Sequence, residues 1–582
     1  MFNEFYQEEL RFLKELGREF AQGNPTVAHM LDGPGRDPDV ERLLEGVAFL
    51  TGRIREKLDD EFPELIHGLM NLFFPHYLRP IPAMTMIRFD PKPETLRSKV
   101  IIPAGTILDS TPVDGVACRF RTVSPVHIYP LTLTAVALET PLSGTPCLEM
   151  RLSLPKGLNI RQTGLDRLRL YLSGEGQEGY DLYYLLTHMV KRWSIRTDHA
   201  AVNLPLDHIQ AAGFQADQAM WPYPAGAFPG YRLLQEYFCL PEKFKQVELL
   251  GLDRAADLPV DGGIIISFEL TGLPRSKPRV GLSNVLLFTT PAVNLFAHEA
   301  DPIRVDQQHF EYPIRPTGLN PAHFVIQSID RVVGYLPGTA EELEYPSFFS
   351  FRRRADFVRG ERIYYHPRLK SPLIGDAPNM TMAFINVNQR GVIPSTEIIS
   401  MDLTCSNGRL PEKLRPGDLD AATAGMAGVA GVSLVSRISR FVPPPLGSDL
   451  HWLLVSHWSQ NYQALNSVES LRQILSLYNF PALIDRQAAQ EHELRLGALT
   501  DLITRPEEQL YRGRPVRGLS VDLTVNESKF SSQGELFLFS KVLSEFLTQY
   551  ATINAFVRLT VKGTALGEVY SFPARLGEKT LL

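Results

Sequence analysis

Three glycines and two glutamates form the most chemistry-like pattern in the chain. Gly174, Gly176 and Gly179 stand in GEGQEG, a literal GxGxxG. A β-rich run at Leu168–Leu172 precedes it, a helical pattern over Tyr180–Lys191 follows, and Asp198 lies about 20 residues on. That spacing is how a strand–turn–helix unit seats a pyrophosphate on a helix N-terminus. Two features oppose it here. Glu175 and Glu178 put carboxylates where the pyrophosphate must sit, and the flanks read as antiparallel all-β sequence rather than repeated βαβ. The expectation is a hairpin-like surface turn, with a nucleotide-binding enzyme using this turn as the alternative.

Other reactive residue types are sparser. Glu64 and His67 make an ExxH, half of a carboxylate-bridged di-metal pair, but the second ExxH and its partner glutamates are missing. With Asp59, Asp60 and Glu61 nearby, the acidic group reads better as the stabilised start of a helix. His298, Glu299 and Asp301 form one small cluster and Glu491, His492 and Glu493 another. Neither has HExxH spacing, and both read as surface. His451 and His457 would share one face of a strand. No GxSxG elbow and no GxxxxGK[ST] loop occurs, while a dispersed Ser-His-Asp triad is left open. Arg352, Arg353 and Arg354 are the one tight basic run, read as a solvated face or a contact for an acidic surface. The four cysteines, Cys118, Cys147, Cys239 and Cys405, are far apart without a CxxC. They suit a reducing compartment rather than a disulfide or zinc framework.

The elements that would position such residues begin with helices. Phe2, Tyr6, Leu10, Leu13, Leu16 and Phe20 recur at helical spacing, and Gly23, Asn24 and Pro25 end the run. Asp37 can cap a second helix with Pro38 in its first position and Asp39 and Glu41 at its positive end. Val40, Leu43, Leu44, Val47, Ile54 and Leu58 are its apolar stripe. Pro63 opens a third helix, and Pro75, Pro80 and Pro82 stop it. Such helices either cap the chain's own core or join a bundle completed by other chains, and the pattern does not choose.

After Pro82 the texture becomes short β-branched and aromatic runs separated by Pro, Gly, Asp and Ser, as in a sandwich or barrel. Ala219–Gly230 is an aromatic, proline-rich loop. With the sandwich-like strands, its Trp221–Phe228 part suggests a third possibility, an adhesin-like or carbohydrate-binding β protein, against which the sparse cysteines and the missing signal peptide argue. Ala421–Ser433 (AATAGMAGVAGVS) reads as a mobile loop, and the PPP within Phe441–Gly447 as a stiff linker. Beyond it the order is β-α-β-β-α-β: His451–His457, Val468–Tyr478, Leu499–Thr504, Val516–Asn526, Gln533–Tyr550 and Phe556–Lys562. That is the ferredoxin-like, split-βαβ order. The expected fold class is α+β, with a helical region at 1–84, β-rich domains at 85–275 and 276–440, and a ferredoxin-like domain at 441–582.

Composition narrows the setting. The 582 residues are 44% hydrophobic and 21% charged, ordinary values for a soluble globular chain. Fifty-nine basic and 65 acidic residues leave a net charge of −6, which supplies no overall attraction for nucleic acid or anionic membranes. Glu4, Glu8 and Glu9 make the N-terminus unlike a signal peptide, and no run of about 20 apolar residues predicts a membrane span. The expected location is cytoplasmic.

Several stretches together resemble one family. They are Phe5–Pro25, Asp37–Leu65 and Phe73–Met84, then VNLFAHEADPIRVD (Val293–Asp306) and IQSIDRVVG (Ile326–Gly334), and finally LVSHWSQNYQAL (Leu454–Leu465) and FPARLGEKTLL (Phe572–Leu582). In this order they resemble TssF, a baseplate subunit of the bacterial type VI secretion system. The resemblance implies a structural wedge protein without an active site or cofactor. It implies a second TssF copy and TssG as direct partners, TssK carried through TssG, and the sheath, tube and spike hub as further neighbours. The place of assembly would be the cytoplasmic side of the inner membrane. Phe2, Tyr6, Leu10, Leu13, Val40, Leu43, Leu44, Val47 and Ile54 would then enter a bundle shared between chains. The GEGQEG turn and the Ala421–Ser433 insert stand outside the resemblance.

Overall fold

A computed structural model of the chain describes residues 2–23, 38–59, 63–92, 95–140, 144–174, 176–223, 228–260, 262–275, 277–305, 309–318, 321–335, 342–349, 363–370, 378–386, 398–420, 428–446, 467–511, 513–551 and 555–577. It divides into a unit of Met1–Phe74 with Pro445–Ser456 and a larger unit of Pro75–Pro444 with His457–Leu582. The fold class is α+β.

The first unit is helical. α1 spans Phe2–Gly23, α2 Pro38–Asp59 and α3 Pro63–Phe73. Proline opens both α2 and α3, where its missing N–H removes no intrahelical bond. Asp39 and Glu41 stand in the first turn of α2, against its positive end. α1 packs on α2.

The larger unit is built mostly of antiparallel strand pairs, with one parallel pair near its C-terminal end. Its six-stranded sheet runs in the order Leu419–Asp420, Ile107–Val113, Val116–Thr122, Thr289–Val293, Met84–Pro91, Val429–Leu434. The last strand corrects the expectation of a mobile loop at Ala421–Ser433. Val429–Leu434 pairs antiparallel with Met84–Pro91, Val432 opposite Phe89. Val429 and Val432 are buried, so two valines among glycines and alanines suffice for an edge strand; residues 421–427 lie outside the described residues. A second sheet centres on Gly263–Leu270, between Cys147–Ser153 and Val190–Arg196. A third has Arg167–Leu172 between Gln246–Leu250 and Val285–Leu287, antiparallel to both. Further on, Ile398–Ser406 pairs with Val325–Tyr335 and Phe296–Glu299.

Three helices then pack together. α4 (Glu178–His188) and α5 (Gly230–Cys239) both contact the long α8 (Gln533–Thr548), which is buried along nearly its whole length. Ser532 caps α8, its hydroxyl accepting from the Glu535 N–H at 3.2 Å. Between them in sequence lie α6 (Val468–Tyr478) and α7 (Arg486–Ala498). α7 went unread in the sequence because its face is polar; its one legible signal is Asp485, whose carboxylate accepts from the Gln487 N–H at 2.9 Å.

The ferredoxin-like expectation for 441–582 is not confirmed. Arg514–Val525 and Ala555–Gly563 pair directly and in parallel, Val521 opposite Leu559, with α8 between them in sequence. In a split βαβ another strand would lie between those two. Leu499–Tyr511 pairs antiparallel with Arg514–Val525 and runs seven residues past Thr504, where the sequence reading ended the strand. The strand read at His451–His457 lies outside the described residues.

Candidate functional site

The helices of the first unit carry more apolar surface than their mutual seam consumes. Tyr6, Leu10 and Leu13 of α1 and Val40 and Leu44 of α2 are half-buried, and Ala48 is 0% exposed. Lys14 Nζ lies 3.1 Å from Glu41 Oε1 across the seam. Beside these residues sits a second apolar sector on each helix. Leu43 is 67% and Leu50 63% exposed on α2, with Val47 beside them; Phe12 is 56% exposed on α1, with Leu16 and Phe20 on the same side. At 3.6 residues per turn the two sectors of each helix are centred about 90° apart. Seven of the 21 large apolar side chains exposed among the described residues lie on these two helices, so the exposure is concentrated rather than scattered.

The nine bundle residues expected from sequence therefore divide. Tyr6, Leu10, Leu13, Val40 and Leu44 sit at or near the seam, while Leu43 and Val47 face outward. Phe2 and Ile54 lie on described helical backbone, but their side chains are outside the described residues. Phe12, Phe49 and Leu50 were missed; Phe12–Leu16–Phe20 and Leu43–Val47–Leu50 at helical spacing were the signal.

The GxGxxG turn is a different object from the hairpin expected. It joins the strand Arg167–Leu172 to α4, and Gly174 and Gly176 take positive φ. The flanking strand is antiparallel to both neighbours, so no βαβ unit surrounds it. Glu178 folds back over the turn, its Oε2 accepting from Asn284 Nδ2 at 3.2 Å. A side chain at Gly179 would meet the Leu172 carbonyl oxygen at 2.6 Å, so this glycine serves helix–strand packing. The neighbouring cavity of about 310 Å³ is lined by Glu242 and Glu491 as well as Lys245 and Arg495. Arg495 is already committed to Glu535, at 2.8 Å.

Other candidates are also placed. His492 is buried, correcting its surface reading; burial, and Arg495 beside it, push its pKa down to about 4. Trp221 is buried too, and Phe228 packs on Tyr550 at 4.6 Å, so these two do not form an exposed sugar-binding platform. His298 stacks on Phe324 at 4.7 Å. Arg352–Arg354 and His451–His457, and the side chain of Glu64, lie outside the described residues, among which no three His, Cys, Asp or Glu side chains gather as a metal site would need.

Comparison with known proteins decides the family. The family model for "Type VI secretion system, TssF" matches residues 1–579. The chain is 31% identical to the type VI secretion system component TssF1 of Pseudomonas aeruginosa, over 99% of this chain and 98% of that protein. This chain belongs to the TssF family. Among solved structures, a chain of the type VI secretion system TssK-TssF-TssG baseplate subcomplex, determined by cryo-electron microscopy, is 29% identical. It superposes with a TM-score of 0.77 over 93% of this chain and 99% of that one. A chain of the type VI secretion baseplate complex is 26% identical, with a TM-score of 0.64 over the full length of both. In this TssF family member no described helix is long and apolar enough to cross a membrane.

Proposed function

We propose that this chain is a structural wedge subunit of a type VI secretion baseplate, working by buried apolar contact rather than by catalysis. Residues 1–84 form its assembly segment. The outward sectors of α1 and α2 enter a bundle with TssG and a second copy of this chain, TssK joins through TssG, and the assembled particle sits at the cytoplasmic face of the inner membrane. The observation that carries this is the exposed Leu43–Val47–Leu50 face beside an already closed seam. A helix pair that only capped its own core would leave that second face polar. The test is co-expression with TssG and TssK from the same bacterium. Leu43→Asp with Leu50→Asp is expected to abolish co-purification while the isolated chain stays folded; undiminished co-purification would reject the bundle assignment.

A further inference from the structure

A second recognition site lies far along the sequence from α1 and α2. α4, α8, the strand Ile209–Ala211 and the strand Val569–Ser571 with the residues after it border a cleft of about 450 Å³. Phe214, Phe537 and Phe572 bring three aromatic rings to its lining. At the charged end Glu545 holds two cations at once, Lys541 Nζ at 2.8 Å and Arg575 Nη1 at 2.7 Å. Among the described residues, two cations on one carboxylate leave a surplus positive charge. Burial, with Arg575 nearby, lowers the Lys541 pKa although Glu545 lies against it. Tyr183 is also a lining residue; it is 0% exposed and its hydroxyl has no hydrogen-bond partner among the described residues. A cleft of this size with an aromatic lining and a few convergent donors has the build of a ligand pocket.

We propose that this cleft receives an acidic side chain with a neighbouring aromatic one from a protein partner, the carboxylate on Lys541 and Arg575 and the ring on Phe214, Phe537 and Phe572. The charge balance selects the carboxylate, because an anion would complete the Lys541–Glu545–Arg575 group as two cations and two carboxylates. The proposal rests on the reading of the chain as an assembly subunit, but not on the faces of α1 and α2.

The test uses the full chain and N-acetylphenylalanine, which has a carboxylate beside an aromatic ring, with N-acetylphenylalanine amide as the neutral comparison. Saturation-transfer NMR is expected to show the acid binding at least tenfold more tightly than the amide, about 1.4 kcal/mol. Lys541→Met should lower the acid's affinity by about tenfold, with Ser571→Trp, which narrows the cleft, as the second variant. Equal binding of acid and amide, or Lys541→Met and Ser571→Trp variants that bind like the parent, would overturn the proposal. A photo-crosslinker at Gln210, in the chain assembled with its partners, locates the source. An adduct on an acidic–aromatic segment of another chain supports the inference; an assembled complex without such an adduct, or a small carboxylic acid retained by the purified chain in its place, overturns it. If the Leu43→Asp/Leu50→Asp variant assembles normally, the bundle assignment fails while probe binding is unaffected, so the two failures are distinguishable.

Discussion

Replacing Leu43 and Leu50 by aspartate separates the two faces of α2. Leu43 is 67% and Leu50 63% exposed, so in the isolated chain neither removes a packed core group. Surface substitutions of this kind cost at most about 0.5 kcal/mol each, with a few tenths more for the lower helix propensity of aspartate. In the proposed bundle both side chains would be covered. Full burial of a leucine contributes roughly 1.5–3 kcal/mol, and two-thirds of that at two positions is about 2–4 kcal/mol. This corresponds to a dissociation constant weakened roughly 30- to 700-fold, before the cost of desolvating two carboxylates is added. The assay is sedimentation velocity or biolayer interferometry against purified TssG, with circular dichroism of the isolated variant as the control for folding. Ala48→Asp is the contrast: Ala48 is 0% exposed in the seam, and its substitution should unfold the helix pair itself. Association of the double variant at parental strength would refute the reasoning. Backbone amides of α1 and α2 should exchange faster in the isolated chain and gain protection when the partner is bound; equal protection in both states would count against the shared bundle.

Further outcomes follow from buried charge and from the glycine turn. His76 is buried against Tyr478, at 3.3 Å from its hydroxyl, and burial with Arg79 nearby pushes its pKa down to about 3. It is neutral in the folded chain, whereas the unfolded chain protonates it below about 6.5, so stability is lost as pH falls from about 6.5 towards 3. The limit of that loss is about 5 kcal/mol, and urea unfolding of His76→Phe should show a flatter acid limb; an unchanged limb would contradict this. Glu236 is 0% exposed and receives Arg232 at 3.1 Å and the fully buried Lys243. Glu236→Gln strands two buried cations and should cost about 3–5 kcal/mol by urea unfolding; a loss below about 1 kcal/mol would show that the network relaxes. Calorimetry with NAD and ATP is expected to give no heat at micromolar ligand. Saturable heat removed by Gly176→Ala would revive the nucleotide reading of the GEGQEG turn.

Part of this organisation was legible in the chain and part was not, for identifiable reasons. Ser467 and Ser532 cap α6 and α8, the hydroxyl of Ser467 accepting from the Ser470 N–H at 3.2 Å. Such caps, like the apolar spacing of α1 and α2, are local and can be read directly. α7 and the strand Val429–Leu434 escaped because neither has a strong face of its own. The strand exists because Met84–Pro91 offers a ladder edge more than 300 residues earlier in the chain. His492 was read as surface because Glu491, His492 and Glu493 lack HExxH spacing, yet it is buried with its ring edge-on to Phe238 at 5.3 Å.

The sequence by itself determined the helix periods, the caps, the β texture, the family resemblance and the carboxylates that spoil the GxGxxG turn, because each depends on residue type at short spacing. Only the tertiary structure decided which apolar side chains are consumed within a unit and which stay outward. A helical stripe says that a face must be covered, not by what. The wide apolar arc of α2 divides into Val40–Leu44–Ala48 against α1 and Leu43–Val47–Leu50 facing out once α1 is in place. Tertiary structure alone also brought Tyr183, Phe214, Lys541 and Arg575 to one cleft. Contacts across more than 300 residues of chain are set by packing, and no spacing in the sequence encodes them.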